Sequence, residues 1–176
     1  MTTDTDTEID FDFDHTIEKL SSSKGVVLIT GASTGIGYAS AFYLAQAGYT
    51  VFAGVRKSKD AYRIKQDADD KDLSHYLWPI QLDICNADHV QSAQKKIRST
   101  LEHAGISYLH ALVNNAGIAL GGPLLELDLN ILRTQLEVNV IGQLAMIQAF
   151  ADLLGPINGQ QQEHAKTSRC GKVIQI

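Results

Sequence analysis

Residues 30–37 read TGASTGIG and decide which fold the sequence predicts. An apolar run at 25–30 precedes them, and the segment 35–47 that follows repeats its apolar residues at helical spacing. A glycine-rich turn between a buried strand and a helix lets the backbone approach a pyrophosphate without a Cβ in the way. The helix start then presents free amides and the positive end of its dipole to the phosphates. Three glycines in a loop could also form no more than a turn, an alternative that this context makes the weaker one.

Strand and helix patterns alternate along the rest of the chain. The runs interpreted as strands are largely apolar, which is typical of parallel strands covered on both faces. Strands separated by helices require right-handed crossovers, so the sequence predicts an α/β fold with a doubly wound parallel sheet of the Rossmann type. The predicted strands are 25–30, 49–55, 77–82, 108–113 and one opening at 173, and the predicted helices are 35–47, one within 57–72, 87–103 and 128–154, with a loop at 155–171.

The net charge of −5 is concentrated in residues 1–24. This segment holds seven acidic residues against two lysines, so the 13 acidic and 13 basic residues of the remainder balance. A body without a basic excess gives no indication of a nucleic-acid partner. The segment is rich in Thr, Asp and Ser, and we predict a disordered acidic leader at 1–24 before a domain at 25–176. A short docking peptide within the leader is the alternative.

The composition excludes several other classes of protein. With 44% hydrophobic and 20% charged residues the chain is typical of a globular domain. No apolar run approaches the roughly 20 residues of a membrane helix, and no secretory pattern opens the sequence, so we predict a cytoplasmic protein without a membrane segment. Neither the two cysteines, Cys85 and Cys170, nor the six histidines have metal-ligand spacing, so no metal is predicted.

Three further motifs agree with the glycine loop, whose spacing is Gly-x3-Gly-x-Gly. NNAG follows the fourth predicted strand at 114–117, LDI closes the third at 82–84, and EVNVIG lies in the long helix at 137–142. Together they resemble the single-domain branch of the short-chain dehydrogenase/reductase family, and the resemblance extends over 25–176. It implies a Rossmann-type domain that binds NAD or NADP, in an enzyme that transfers a hydride between the nicotinamide and a carbonyl or alcohol substrate.

The resemblance assigns cofactor contacts residue by residue. Ser33, Thr34 and Ile36 would lie beside the pyrophosphate with the three glycines of the loop. Asp83 would accept a hydrogen bond from the adenine amino group, with the backbone of Ile84 next to it. Taken singly, Asp83 could instead cap the following helix. The implied cofactor residues of these two motifs are Gly31, Ser33, Thr34, Gly35, Ile36, Gly37, Asp83 and Ile84.

The NNAG and EVNVIG motifs carry two further implied roles. Asn114, Ala116 and Gly117 would line the ribose of the cofactor and steady the central strands. Asn139 matches the catalytic Asn of the family, whose backbone carbonyl holds a water in the proton relay. Taken singly, Asn139 could also be a satisfied polar residue within a helix. The joint spacing of the motifs favours the functional interpretation.

The end of the second predicted strand bears on the choice of cofactor. Proteins that bind NAD usually place an Asp or Glu there, bonded to the ribose 2′-hydroxyl. In this chain Val55 takes that place in the sequence, and Arg56 and Lys57 follow. A guanidinium pairs with a 2′-phosphate, which a carboxylate would repel. The sequence therefore predicts NADP, held by Arg56, with NAD as the less favoured cofactor; a solvated basic turn is the alternative.

The last six residues, 171–176, read GKVIQI and open a strand. In the resembled family the corresponding strand leads to a catalytic Ser, and a Tyr-x3-Lys pair follows. We therefore expect a sheet that is incomplete at its C-terminal side and a chain that is inactive as given. The complete form is expected to be a homo-oligomer acting on a small-molecule substrate. The alternative is a non-catalytic nucleotide-binding or interaction module that functions as it stands.

Overall fold

The computed structural model describes Leu20 and residues 23–123, 125–155 and 171–176. Most of the predicted leader and of the predicted loop at 155–171 lies outside these residues. Strands and helices alternate through the described part of the chain. The elements are β1 (Val26–Ile29), α1 (Gly35–Gln46), β2 (Thr50–Val55), α2 (Ser58–Asp69), β3 (Leu77–Gln81), α3 (Ala87–His103), β4 (Ala111–Asn114), α4 (Leu129–Leu136), a π-helical turn (Glu137–Gly142), α5 (Gln143–Phe150) and β5 (Lys172–Gln175).

The five strands form one parallel sheet in the order β3-β2-β1-β4-β5. β1 lies at its centre, where Ile29 is in register with Ala53 of β2 and Val113 of β4. The strand order runs outward from β1 to β3 and then reverses, so the switch point lies between β1 and β4. Ligands of open α/β sheets bind at the carboxyl ends of the strands beside such a point. The predicted doubly wound parallel sheet is confirmed.

Each face of the sheet has its own hydrophobic core. Val26 and Leu28 of β1 belong to the core beneath α3 and α5, whereas Val27 and Ile29 belong to the core beneath α1 and α2. Successive side chains of a strand point to opposite faces, so a strand covered on both faces must be apolar throughout. Burial on both sides therefore explains the unbroken apolar run that precedes the glycine loop.

Leu20 lies within the predicted leader but belongs to the packed domain. Its side chain is 1% exposed and packs in the core beneath α3 and α5. The backbone N–H of Lys24 also donates to the carbonyl oxygen of Gly48 at 2.9 Å. The packed domain therefore includes Leu20 and Lys24, which lie in the segment 1–24 that composition assigned to the leader.

The single helix predicted at 128–154 is divided into α4, the π-helical turn and α5. At the end of the turn Gly142 packs closely on Ile84, and a Cβ added to it would lie 2.9 Å from Ile84 Cγ1. The helical spacing of apolar residues was correct, but their face is not buried. The residues of this face, each between 39% and 61% exposed, are Leu129, Leu132, Leu136, Val140 and Leu144.

Within the described residues β5 is paired on one side only. It pairs in parallel with β4, where Ile174 is in register with Val113. All four residues of β5 are exposed, and Val173 and Ile174 are each 44% exposed. The outer edge of β5 therefore presents backbone donors and acceptors that have no strand partner in the described part of the chain.

Candidate functional site

A cavity of about 320 Å³ opens at the carboxyl ends of the central strands, beside the switch point of the sheet. Its walls come from the glycine loop after β1, the residues that follow β2 and β3, and the NNAG segment after β4. Nine of the twelve residues predicted to contact a cofactor line it, together with four others. The nine are Gly31, Ser33, Thr34, Ile36, Arg56, Asp83, Ile84, Ala116 and Gly117, and the four are Leu82, Asn115, Ile118 and Val138.

The glycines of the loop are required by its geometry. Gly31 has a φ of +66°, and a Cβ added there would lie 2.7 Å from the Cα of Ala116. Gly37 does not line the cavity, but an added Cβ would lie 2.3 Å from Asn115 Nδ2 and 2.5 Å from Gly31 O. Gly35, also outside the lining, has a φ of +59°, which favours glycine. The loop is therefore a cradle in which a side chain at Gly31 or Gly37 would collide with its neighbours, and this lack of a Cβ is what close approach to a pyrophosphate requires.

Asn115 fixes the glycine loop to the end of β4, a role that the sequence analysis missed. Its Nδ2 donates to Gly31 O at 3.1 Å and to Thr30 O at 2.9 Å. The hydroxyl of Thr30 accepts the backbone N–H groups of Asn115 and Ala116, both at 3.0 Å. The signal available in the sequence was the NNAG motif itself, in which the second Asn also carries a side chain that can bond backbone carbonyls.

Asn114 lies beneath the cavity and not in its lining. Its side chain is fully buried, and Nδ2 donates to Gln143 O at 3.2 Å and to Gln175 Oε1 at 3.4 Å. Gln143 in turn donates from Nε2 to Ala116 O at 2.5 Å. These contacts tie β4 to α5 and β5, and the steadying role of Asn114 remains a prediction. Asn114 was predicted to line the ribose, but Asn115 and not Asn114 lies in the cavity lining.

Asp83 lines the cavity and does not cap the helix that follows it. Its Oδ1 accepts the backbone N–H of Cys85 at 3.0 Å. The N-cap of α3 is Asn86, whose Oδ1 accepts the N–H groups of Asp88 and His89. The alternative interpretation of Asp83 as the helix cap is therefore wrong. Its position in the lining leaves the predicted adenine contact as the interpretation to be tested.

Arg56, the residue directly after β2, lines the cavity, and Val55 does not. Val55 is 1% exposed and packs in the core beneath α1 and α2, whereas Arg56 is exposed and lines the cavity. Burial raises the pKa of the nearby Cys85 thiol, the carboxylates of Asp83 and Glu137 raise it further, and the charge of Arg56 lowers it. The thiol is therefore protonated at neutral pH. Because the charges of Arg56 and Asp83 both act on this thiol, the two residues lie at the same end of the cavity.

Asn139 lies in the π-helical turn and holds the segment after β4. Its Oδ1 accepts the N–H of Ile118 at 2.9 Å, and its Nδ2 donates to Ile118 O at 2.8 Å. The side chain is thus satisfied, as the alternative interpretation expected, but by a loop 21 residues away and not within its own helix. The predicted role of its backbone carbonyl in a proton relay remains a prediction.

The described lining provides binding groups and few groups for proton transfer. It contains no tyrosine, histidine or lysine, and its one carboxylate is Asp83.

In the part of the chain that the structure covers, no group of three or more His, Cys, Asp or Glu side chains is arranged to hold a metal ion. No helix of the same residues is long and apolar enough to cross a membrane.

A doubly wound parallel sheet with a glycine cradle at its switch point defines a nucleotide-binding α/β protein of the Rossmann type. The family can also be stated. A family model described as short chain dehydrogenase matches residues 25–164, and the chain belongs to this family. The resemblance inferred from the glycine, NNAG and EVNVIG motifs is therefore confirmed.

The individual relatives that the chain resembles are dehydrogenases and reductases. It is 35% identical over 135 residues to a mitochondrial D-beta-hydroxybutyrate dehydrogenase of Bos taurus, covering 76% of this chain and 38% of that protein. It is 33% identical to an NADPH-dependent 3-dehydrocapnine reductase of Ornithobacterium rhinotracheale, covering 85% of this chain and 47% of that protein. The chain thus spans less than half the length of either relative.

A solved structure agrees with the fold. The alcohol dehydrogenase of the archaeon Thermococcus sibiricus, complexed with 5-hydroxy-NADP, superimposes with a TM-score of 0.64 at 32% sequence identity. The match covers 74% of this chain and 53% of that one.

Proposed function

We propose that the chain forms the NADP-binding part of an oxidoreductase that transfers a hydride between the nicotinamide and a carbonyl or alcohol group of a small molecule. The observation that carries the proposal is the cradle at the switch point, where Gly31 and Gly37 leave no room for a Cβ. A pyrophosphate needs such close backbone approach and the N–H groups of a helix start, which α1 provides. The bound cofactor would supply the hydride; the protein supplies its orientation.

We assign the remaining lining residues to different parts of the cofactor. Asp83 and Ile84 lie at one end and would contact the adenine, with the carboxylate accepting its amino group. Ala116 and Gly117 lie after β4 and would line the ribose on the nicotinamide side. Asn139 would hold Ile118, and with it the wall of the cavity, in place. Each assignment follows the order of the strands from β3 to β4 across the cavity.

Arg56 supports NADP over NAD. It is the residue after β2 that lines the cavity, and it can pair with a 2′-phosphate in bidentate fashion. No carboxylate of the described lining lies directly after β2 to accept a ribose 2′-hydroxyl. One relative is named for its NADPH dependence, and the Thermococcus enzyme is complexed with an NADP derivative. Both facts concern those two proteins, and they support the expectation that this chain also prefers NADP.

The described cavity lining contains no Tyr, His or Lys that could serve as the general acid or base of the reaction. Asn139 alone cannot move a proton to or from a substrate oxygen, and a positioned acid or base contributes about 10²–10⁴-fold to a rate. We infer that residues 1–176 alone bind the cofactor without turnover, whereas the complete enzyme uses the Ser and Tyr-x3-Lys that the family resemblance implies. The same observation favours the second candidate, a nucleotide-binding module without catalysis.

The complete form is also proposed to be a homo-oligomer. The exposed apolar residues of α4 and α5 would be covered in such an assembly, and leaving a large apolar face in water is unfavourable. A cytoplasmic location remains a prediction from the sequence.

Equilibrium titration of the 176-residue chain with NADPH and NADH tests the binding proposal. Saturable binding with NADPH preferred is expected, and failure to bind either nucleotide would contradict it. NADPH oxidation with a panel of ketones and aldehydes tests the second inference, and steady turnover above a no-protein control would contradict that. Binding without turnover by a version extended through a Ser and Tyr-x3-Lys segment would favour the non-catalytic module.

A further inference from the structure

Arg63 of α2 reaches across to the glycine loop after β1. Its Nη2 donates to the backbone carbonyl oxygen of Ser33 at 2.5 Å. The two residues are 30 apart in sequence, and neither the glycine motif nor the basic pair after β2 includes Arg63. Arg63 does not line the cavity, whereas Ser33 does.

The guanidinium is held in place by an aromatic stack on α1. Its Cζ lies 5.6 Å from the ring centroid of Tyr38, within the range of a cation–π contact. The Tyr38 ring lies 4.5 Å from that of Phe42, and its hydroxyl donates to Asp67 at 2.9 Å. Asp60, one turn before Arg63, is a looser partner at 3.5 Å. The orientation of Arg63 is therefore set by the packing of α2 on α1.

The contact fixes the conformation of one peptide unit in the loop. The C=O and N–H of a trans peptide point in opposite directions. Holding the Ser33 carbonyl towards Arg63 therefore directs the N–H of Thr34 away from it, and Thr34 lines the cavity. The side chain of Thr34, the N-cap of α1, makes no capping hydrogen bond. The hydrogen bond that holds the Ser33–Thr34 peptide therefore comes from α2, outside the loop.

We propose that Arg63 is a positioning residue that orients the Ser33–Thr34 peptide towards the pyrophosphate of the dinucleotide. The proposal rests on the proposed cofactor binding and adds a residue to it. The pyrophosphate is common to NAD and NADP, so Arg63 supports the binding of both equally. Arg56, in contrast, would contact the 2′-phosphate that only NADP carries. The two arginines therefore have separable effects.

Three variants of the 176-residue chain test the proposal, with the affinities for NADPH and NADH as the readout. Arg63→Leu keeps an aliphatic side chain against Tyr38 but has no donor, and it should weaken both nucleotides about tenfold with their ratio unchanged. Arg63→Lys keeps a donor and a positive charge and should retain most of the affinity. Lys95→Ala removes an exposed cation from α3, on the other face of the sheet, and should change neither affinity.

Two results would overturn the proposal where the unmodified chain binds nucleotide. One is an Arg63→Leu variant that binds both nucleotides as the unmodified chain does; the other is a loss confined to NADPH, which would make Arg63 a 2′-phosphate contact.

NMR order parameters of the loop amides decide the matter even if the unmodified chain binds neither nucleotide, an outcome that would refute the proposed function. The N–H order parameters of Thr34 and Gly35 should fall in Arg63→Leu, with the urea midpoint unchanged, because the peptide loses its restraint. Unaltered order parameters at both residues would overturn the role of Arg63.

Discussion

Thr30 accepts two hydrogen bonds from Asn115, one at its side-chain hydroxyl and one at its backbone carbonyl, although the two residues are 85 apart in sequence. The hydroxyl also accepts the N–H of Ala116. Thr30 ends the run that contains β1, and Asn115 follows the last residue of β4. The pair therefore joins the glycine loop to the opposite wall of the cavity at the point where the strands diverge.

Thr30→Val should reduce the free energy of unfolding by about 2 kcal/mol, because it leaves two backbone N–H groups without an acceptor at nearly constant volume. Urea unfolding followed by circular dichroism measures the change. Thr34→Val is the matched control, since that hydroxyl makes no capping bond, and a change within about 0.5 kcal/mol is expected there. Equal effects of the two variants would show that the Thr30 hydroxyl contributes nothing specific.

Gly37→Ala and Asn115→Ala should have effects that are not additive. The added Cβ at residue 37 collides with Asn115 Nδ2 at 2.3 Å, so removing the amide relieves part of the strain. We expect a coupling energy of about 1 kcal/mol or more in a double-mutant cycle measured by urea unfolding. Gly35→Ala is the control, because an added Cβ there meets nothing within 4 Å and its cost arises only from its φ. Additivity in both cycles would contradict the close contact.

Arg56→Asp should weaken NADPH binding by more than tenfold while leaving NADH binding unchanged or stronger, because a carboxylate repels a 2′-phosphate and accepts a 2′-hydroxyl. Isothermal titration with both nucleotides measures the ratio. Lys57→Ala, an exposed neighbour that does not line the cavity, serves as control. Val55 is unsuitable for this purpose, since a charge there would be buried in the core. An unmodified chain that already prefers NADH would refute the role of Arg56.

Tyr38 should make the stability of the domain sensitive to alkaline pH. Burial raises its pKa above the ordinary 10.0, and the hydrogen bond to Asp67 and the charge of that carboxylate raise it further, against an opposing effect of Arg63. The folded state therefore keeps the phenol protonated where the unfolded chain releases the proton. Its stabilising contribution is complete below about pH 10 and is lost as the pH rises through the folded-state pKa.

Measurement of the unfolding free energy between about pH 8 and 11 checks this linkage. Tyr38→Phe should lower stability at pH 8 and show a smaller decline towards pH 11. Tyr62→Phe, which removes a hydroxyl from an exposed tyrosine of α2, should leave the profile unchanged. An identical slope in Tyr38→Phe and the unmodified chain would mean that Tyr38 does not govern the alkaline loss.

The outer edge of β5 should cause the 176-residue chain to self-associate. Val173, Ile174 and Ile176 are 44–56% exposed, and an apolar edge strand is a template for pairing with another chain. Sedimentation velocity over a range of concentrations should show assemblies that grow with concentration, and Ile174→Lys should reduce them because an edge lysine opposes strand pairing. A concentration-independent monomer that melts cooperatively above about 50 °C would contradict this expectation.

The strands, most of the helices and the place of nine predicted residues in the cavity lining could be predicted because each depends on a short local pattern. α3 has the predicted bounds, since Asn86 caps its start and apolar residues recur through to His103. The contacts of Arg63, Gln143 and Thr30 could not be predicted, because they join segments that the sequence separates by 27 to 86 residues. The spacing of apolar residues shows which of them share a face of a helix or strand, but not which other segment that face packs against.

β4 shows the same limit at an element boundary. The apolar pattern placed its start at residue 108, whereas the strand begins at Ala111. The N–H of Leu109 donates to Leu153 O, outside the sheet, whereas that of His110 already donates to Val26 O of β1. Tertiary contacts therefore decide where the strand begins, although the type of element was correct.

The long separation between the two walls of the cavity has a consequence for the order of folding. The glycine loop, α1, β2, α2 and β3 follow one another directly along the chain, so their contacts close short loops. The pairing of β1 with β4 must instead close a loop of more than 80 residues. Such contacts form late, because the chain loses the entropy of loop closure before the hydrogen bonds and packing of the paired strands stabilise it. A partly folded chain would hold the loop in a nearly native shape and still lack the opposite wall. We therefore expect nucleotide binding to appear only with the final pairing of the central strands, so that binding competence reports the completed fold.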